Sequence, residues 1–219
     1  VKNALAAIAV LFVAGCAQSC YRSAAGDVHY GFNILIPQKP NIHNLADYNI
    51  AMMDGQTIRC SGVVVLLGGT PHIVTAAHCI YDEFNNRADR FMFKFGKTLG
   101  IAAHIKDSPE LDLAVFVVEE VPSGSVLTPA DICSSNPDVG DVVFVAGNPG
   151  GMEDMVTHGI VSKVDDKEIY VDGNVWFGNS GGGLFGSSFC LLGISQRMMQ
   201  PGNYGLFSTN DELRSFLGI

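Results

Sequence analysis

Three short segments of the chain carry residue types from which covalent chemistry can be assembled: Thr75-Ala76-Ala77-His78-Cys79, Leu111-Asp112-Leu113-Ala114-Val115 and Gly178-Asn179-Ser180-Gly181-Gly182-Gly183. A serine hydroxyl is a poor nucleophile at neutral pH and needs a base to take its proton as it attacks. An imidazole titrates near physiological pH, so it can accept that proton and hand it on. A carboxylate beside the ring fixes its tautomer and stabilises the transient imidazolium. Each segment alone says little. A lone His ending an apolar strand is more often a packed core residue, and a glycine-rich turn with a serine is often only a turn. Their order and spacing, His78, then Asp112 34 residues on, then Ser180 68 further, make the combination specific.

Such groups need rigid elements to hold them in register. With 219 residues, 47% hydrophobic and 16% charged, the chain is long enough for one large all-β domain and unlike a disordered chain. Short apolar runs alternate with Gly, Asn, Asp and Pro. They predict strands over Gly31–Ile36, Ile58–Leu67, His72–Thr75, Arg90–Phe95, Ile101–Ile105 and Leu113–Val118. A second group covers Asp141–Ala146, Met155–Ser162, Glu168–Val171, Gly183–Phe185, Cys190–Arg197 and Tyr204–Ser208. Phe91, Phe93 and Phe95 alternate with Met92 and Lys94, the period of a half-buried strand. Many short strands with regular turns imply a sandwich or barrel rather than βαβ units. The Pro- and Gly-rich stretch Val121–Val139 links the two groups. Thr209-Asn210-Asp211-Glu212 reads as a capping box opening a final helix. No internal repeat is visible.

The N-terminus reads as an address. Lys2 precedes an apolar run, Ala4 to Ala14, of 11 residues, too short for the roughly 20 that span a bilayer. A basic start, a short apolar stretch and small residues make an export signal over residues 1–17. Val13-Ala14-Gly15-Cys16 resembles the bacterial lipobox, which makes Cys16 a lipidation candidate; ordinary cleavage after Ala17 is the alternative. Residues 18–48 read as tether and entry segment. Export, to the periplasm, the cell surface as a lipoprotein, or the medium, puts the six Cys in an oxidising compartment. The close Cys and His pairs of a structural zinc cluster are missing, so no metal site is expected. Thirteen Lys+Arg against 22 Asp+Glu give a net charge of −9, which argues against nucleic acid as a partner. The densest basic set, Arg87, Arg90, Lys94 and Lys97, reads as a solvated strand face. A membrane would be met only through a lipid on Cys16.

From about Cys60 onward the three motifs resemble those of the chymotrypsin-like, trypsin-fold serine proteases. The resemblance implies an all-β fold of two six-stranded Greek-key barrels over residues 49–219, barrel one about 49–120 and barrel two about 136–208, with a short C-terminal helix. It implies polypeptide substrates and no cofactor. Ser180 becomes the nucleophile, His78 the general base and acid, and Asp112 the orienting group. Backbone N–H groups of Gly178 and Ser180 become the oxyanion donors, each such donor being worth roughly 2.7–4 kcal/mol. Val139–Gly150 and Val156–Ser162 look like the bacterial Deg-type (high-temperature-requirement) branch, as does Asn179 before the serine. Cys60-Ser61-Gly62 with Ala76-Ala77-His78-Cys79 instead matches the digestive branch, implying a Cys60–Cys79 cystine. Cys133 with Cys190 is a second candidate pair. Nothing follows Ile219 that would form a PDZ domain, so regulation by one is not expected. Asn179 carries no charge to pair with a new N-terminus, so activation by cleavage is not expected either.

The same resemblance puts Asn174 at the base of the primary specificity pocket, with Val175 narrowing it, Gly202 leaving one wall open, and Ser195, Gln196 and Arg197 on the strand that would bind substrate backbone. An uncharged Asn174 favours small or medium uncharged residues before the cut. Arg197, were its guanidinium to enter the pocket, would favour acidic ones. Two rival readings are a pseudoprotease serving as a surface binding module, against which the intact motifs argue, and an acyl hydrolase with a G-x-S-x-G elbow. The latter fold places Ser first and His last, the reverse of the order here.

Overall fold

Strand-forming runs separated by Gly, Asn and Pro turns close here into two barrels of six strands each. The computed structural model describes residues 33–34, 41–173 and 175–219. After a short strand β1 (Asn33–Ile34) and a small helix α1 (Asn44–Tyr48), barrel one consists of β2 (Asn49–Asp54), β3 (Thr57–Leu67), β4 (Thr70–Thr75), β5 (Arg90–Phe95), β6 (Thr98–Ser108) and β7 (Leu113–Glu120). A connection carrying β8 (Val126–Leu127) leads to barrel two: β9 (Val142–Gly147), β10 (Met155–Val164), β11 (Glu168–Val171), β12 (Gly183–Phe185), β13 (Leu191–Met199) and β14 (Tyr204–Ser208). Helix α2 (Asn210–Leu217) ends the chain. Round barrel one the strands run β2-β3-β4-β7-β6-β5, and round barrel two β9-β10-β11-β14-β13-β12. The two orders are the same, a duplication that only the pairing exposes. The expected pair of six-stranded barrels with a C-terminal helix is the architecture found.

Three apolar clusters hold this together. Ile50, Val64, Ile73, Phe93 and Phe116 fill barrel one; Val143, Val161, Ile169, Leu184 and Phe207 fill barrel two. Between them Leu45, Tyr48, Val63, Val74, Leu113, Phe185 and Ile194 form the seam. Burial of each such large side chain contributes roughly 1.5–3 kcal/mol. Thr209 caps α2 by accepting the Glu212 N–H at 3.2 Å, and Leu213 docks the helix on the seam.

One strand differs from expectation. Of Gly31–Ile36 only Asn33–Ile34 lies among the described residues, and it pairs in parallel with Val126–Leu127, outside either barrel. Its place in barrel one is taken by Asn49–Asp54, whose Asn-Ile-Ala-Met-Met-Asp run shows no alternation. The first four residues are all buried, Ile50 and Met52 in the barrel and Asn49 toward barrel two, where its Nδ2 donates to Asn148 Oδ1 at 3.2 Å. A strand covered on both faces has no polar side to alternate with. The expected signal segment, residues 1–17, its Cys16, and most of the tether lie outside the described residues. Among the described residues no helix is long and apolar enough to cross a membrane. Of the basic set, Arg87, Arg90 and Lys94 each meet an acid, at Asp89, Glu119 and Glu153.

Candidate active site

His78 sits in a 3-10 turn, Ala77–Ile80, that follows β4 without a gap wider than Ala76. Asp112 sits at the tip of the β6–β7 hairpin with φ +49°, a left-handed conformation that Asp tolerates better than most residues. The two meet closely. His78 Nδ1 lies 2.8 Å from Asp112 Oδ2 and 3.1 Å from Oδ1, and the His78 backbone N–H donates to Oδ1 at 2.9 Å. One carboxylate therefore holds both the ring and the backbone of His78. The ring remains about half exposed, 48%, against 27% for Asp112.

Ser180 comes from the turn between β11 and β12. Its carbonyl accepts the Ser61 N–H at 2.8 Å, and the Cys79 sulfur lies 3.6 Å from the same oxygen. Cys60 and Cys79 are disulfide-bonded. The bond thus joins the residue before Ser61, which holds Ser180, to the residue after His78. Both sulfurs being so engaged, the grouping of Cys60, His78 and Cys79 offers no thiolate to a metal. Cys133 and Cys190 form a second bridge. Asn179 is buried and packs where a side chain on Gly147 would have to stand, and its neighbour Ser180 is half-buried.

The glycines of this turn answer to close approach. Gly178 has φ +99°, and a Cβ there would collide with the Asn148 carbonyl. Gly181 has φ +84°, and a Cβ would strike the Ser61 carbonyl and Thr75 hydroxyl. The Phe177 carbonyl is drawn off by the Gly150 N–H at 2.6 Å, and neither Gly178 N–H nor Ser180 N–H has an acceptor among the described residues. Among the described residues these two backbone donors, one of them the serine's own, stand without a partner.

The pocket residues divide. Val175 is buried and packs against Gly205, where a side chain would collide with it. Ser195 is fully buried and its backbone is taken, its N–H donating to Gly182 O at 2.8 Å and its C=O accepting from Gly181 N–H at 2.7 Å. Gln196 reaches across the seam to donate to the Leu111 carbonyl at 2.6 Å. Arg197 pairs with Glu168 at 2.6 Å and stays 66% exposed. Gly202 lies in the β13–β14 turn with φ +118°. A cleft of about 430 Å³ opens beside Asp112, bounded by Leu111, Gln196, Arg197 and Glu168. Asn174 lies outside the described residues.

Two residues with a clear part in this geometry were missed. Ser61 Oγ donates to the Gly178 carbonyl at 2.7 Å and accepts from the Asn148 backbone N–H and side-chain Nδ2, each at 2.9 Å. Asn148, fully buried, also donates to Ile50 O at 3.0 Å and accepts the Asp154 N–H at 3.1 Å. The signal was in Cys60-Ser61-Gly62 and Gly147-Asn148-Pro149-Gly150, both of which point to a family branch. Their role appears only when the barrels meet. Trp176 and Phe177, 57% and 77% exposed with rings edge to face at 5.7 Å, add an apolar rim just before Gly178.

Comparison with known proteins bears on the family and the fold. The serine endoprotease DegS of Salmonella typhimurium is 27% identical over 179 residues, covering 77% of this chain and 48% of that protein. A probable periplasmic DegP-like serine endoprotease of Rhizobium meliloti is 32% identical over 145 residues, covering 62% and 28%. The chain thus spans about half or less of the length of these relatives. Among solved structures, the serine endoprotease of Yersinia pestis superposes with a TM-score of 0.67 at 24% identity, over 83% of this chain and 67% of that one. An inactive serine-to-alanine mutant of Rv3671c from M. tuberculosis gives 0.66 at 17%, over 83% and 90%. At such identities these two speak for the fold. The family model described as a trypsin-like peptidase domain matches residues 60–194, more than half of the chain and all three motifs, and the chain belongs to the trypsin-like peptidase family.

Proposed function

We propose that this chain is an exported serine endopeptidase working through Ser180, His78 and Asp112. Ser180 Oγ attacks the scissile carbonyl carbon while its proton passes to His78 Nε2. The negative charge that develops on the carbonyl oxygen is met by the N–H groups of Gly178 and Ser180. Collapse of that intermediate breaks the C–N bond, and His78 returns the proton to the leaving amine, leaving an acyl-enzyme. Water, deprotonated by His78, repeats the sequence and frees Ser180. The observation that carries this reading is the double grip of Asp112 on His78. Bonds to Nδ1 and to the backbone N–H fix the tautomer whose Nε2 is a base.

Substrate would lie as an added strand along Gln196 and Arg197. Val175 would narrow the pocket, Asn174 carries no charge, and Arg197 is already paired with Glu168, which supports cleavage after small or medium uncharged residues. Two disulfides and the periplasmic relatives support export. Anchoring by a lipid on Cys16 is the form of export we propose, and mass spectrometry of the mature N-terminus tests it: a Gln18 start without lipid means ordinary cleavage. For the activity itself, the purified protein should release peptides from an unfolded protein substrate, and Ser180→Ala should abolish the release. Undiminished release by Ser180→Ala overturns the reading.

A further inference from the structure

Barrel one holds a second carboxylate, Asp107, whose side chain is only 8% exposed. Its Oδ2 accepts the Tyr81 hydroxyl at 2.7 Å. Its Oδ1 lies 2.7 Å from His104 Nε2 and 3.6 Å from Arg87 Nη1. The His104 ring stands edge-on to Phe116 at 5.4 Å. Burial alone pushes the Asp107 carboxyl up, but the bonds from Tyr81 and His104 and the charge of Arg87 hold it below its usual range. An ionised group in such a place is stable only while its partners stay in position.

Those partners belong to the two segments that carry the catalytic pair. Tyr81 follows directly on the Ala77–Ile80 turn that presents His78. Asp107 faces Ala114 across the β6–β7 ladder, one pair back from the turn that presents Asp112. The Tyr81–Asp107 bond therefore ties together the same two segments as the His78–Asp112 pair. The β4–β7 ladder joins the two segments as far as Thr75 and Ala114; beyond it the turn leaves the sheet, and the Tyr81–Asp107 bond fixes its far end as the His78–Asp112 bonds fix its middle. Tyr81 is itself seated firmly. Its carbonyl accepts Arg59 Nη2 at 2.7 Å, and Ala88 N–H donates to Ile80 O at 2.7 Å.

We propose that Asp107 is a positioning residue: through Tyr81 it holds the His78 turn against the hairpin that bears Asp112, so that the His78–Asp112 contact is set before substrate arrives. The inference rests on the triad reading above. His104 bonds the other oxygen of Asp107 and the nearby Arg87 guanidinium offsets its charge, which keeps the carboxylate ionised and the Tyr81 bond short.

Tyr81→Phe removes the hydroxyl and keeps the ring; Asp107→Asn removes the charge. Both are compared with wild type and Ser180→Ala by steady-state kinetics, thermal midpoint and the downfield proton resonance of His78 Nδ1–H. A full ångström of misplacement costs about 100-fold in rate, so loosening by a fraction of that should lower kcat roughly tenfold in Tyr81→Phe and leave KM within about twofold. The His78 resonance should shift or broaden in Tyr81→Phe and persist in Ser180→Ala. Folded variants that lose thermal stability yet keep wild-type kcat and resonance overturn the inference while the triad stands. Full turnover by Ser180→Ala overturns both. Should Asp107→Asn fail to fold, Tyr81→Phe carries the test alone.

Discussion

Replacing Ser61 by Ala should damage both stability and turnover, and the size of each effect follows from three hydrogen bonds. The hydroxyl donates to Gly178 O at 2.7 Å and accepts from Asn148 N and Nδ2, each at 2.9 Å. Asn148 is fully buried, so water does not take over when the hydroxyl is deleted. Two or three polar groups stranded at roughly 1 kcal/mol each, the low end for buried unsatisfied groups, make a loss of about 2–3 kcal/mol. Turnover is affected because Gly178 carries one of the two proposed oxyanion donors, and losing such a donor outright costs roughly 100- to 1,000-fold in kcat. The Gly150–Phe177 bond, 2.6 Å long, still holds the preceding peptide. The expected fall in kcat is therefore smaller, about 10- to 100-fold, with KM changed less than about threefold. Urea unfolding and steady-state kinetics on a peptide amide measure the two quantities. A Ser61→Ala protein that is destabilised as expected yet turns over within about twofold of wild type refutes the link between this hydroxyl and the donor.

Exchanging Cys60 and Cys79 for Ser opens a loop whose ends are 19 residues apart and should cost about 3 kcal/mol, or roughly 6–12 °C in Tm for a chain of this size; calorimetry showing no change contradicts the assignment of that strength to the bond. Burial, reinforced by Glu153 and Asp47, raises the Asp154 carboxyl above its ordinary 3.8. The native state thus favours the protonated form, and the stabilisation it brings is lost as pH rises through the native value. Asp154→Asn should consequently gain on wild type in urea midpoint between about pH 4 and pH 7, and parallel pH profiles argue against the burial penalty. A peptide-library digest read by mass spectrometry should show cleavage after Val, Ala, Leu or Met; dominant cleavage after Lys or Arg means that the pocket is formed otherwise.

What the sequence made legible was what short-range chemistry encodes. Phe91 to Phe95 announced a strand by its period, and Thr209 to Glu212 announced a helix cap, because both signals are local. The His, Asp and Ser segments were visible because each carries its own turn chemistry at a fixed place in the chain order. Asn49–Asp54 escaped because a strand buried on both faces has no polar rhythm. Ser61 and Asn148 escaped for another reason: they lie 87 residues apart, and their value exists only where the barrels touch. Tyr81 and Asp107 are alike in this, ordinary residues until the β6–β7 hairpin folds beside the His78 turn. The match of strand order between the barrels left no trace in residue identity, since many sequences satisfy one pattern of pairing.

Covalent trapping tests most directly whether Ser180 is a nucleophile activated by His78. Folded protein treated with a fluorophosphonate probe should gain one adduct, mapped by peptide mass spectrometry to Ser180. Heat-denatured protein should gain none, and His78→Ala should label far more slowly. An adduct on another residue, or no adduct on folded protein under conditions that label a control serine protease, contradicts the account.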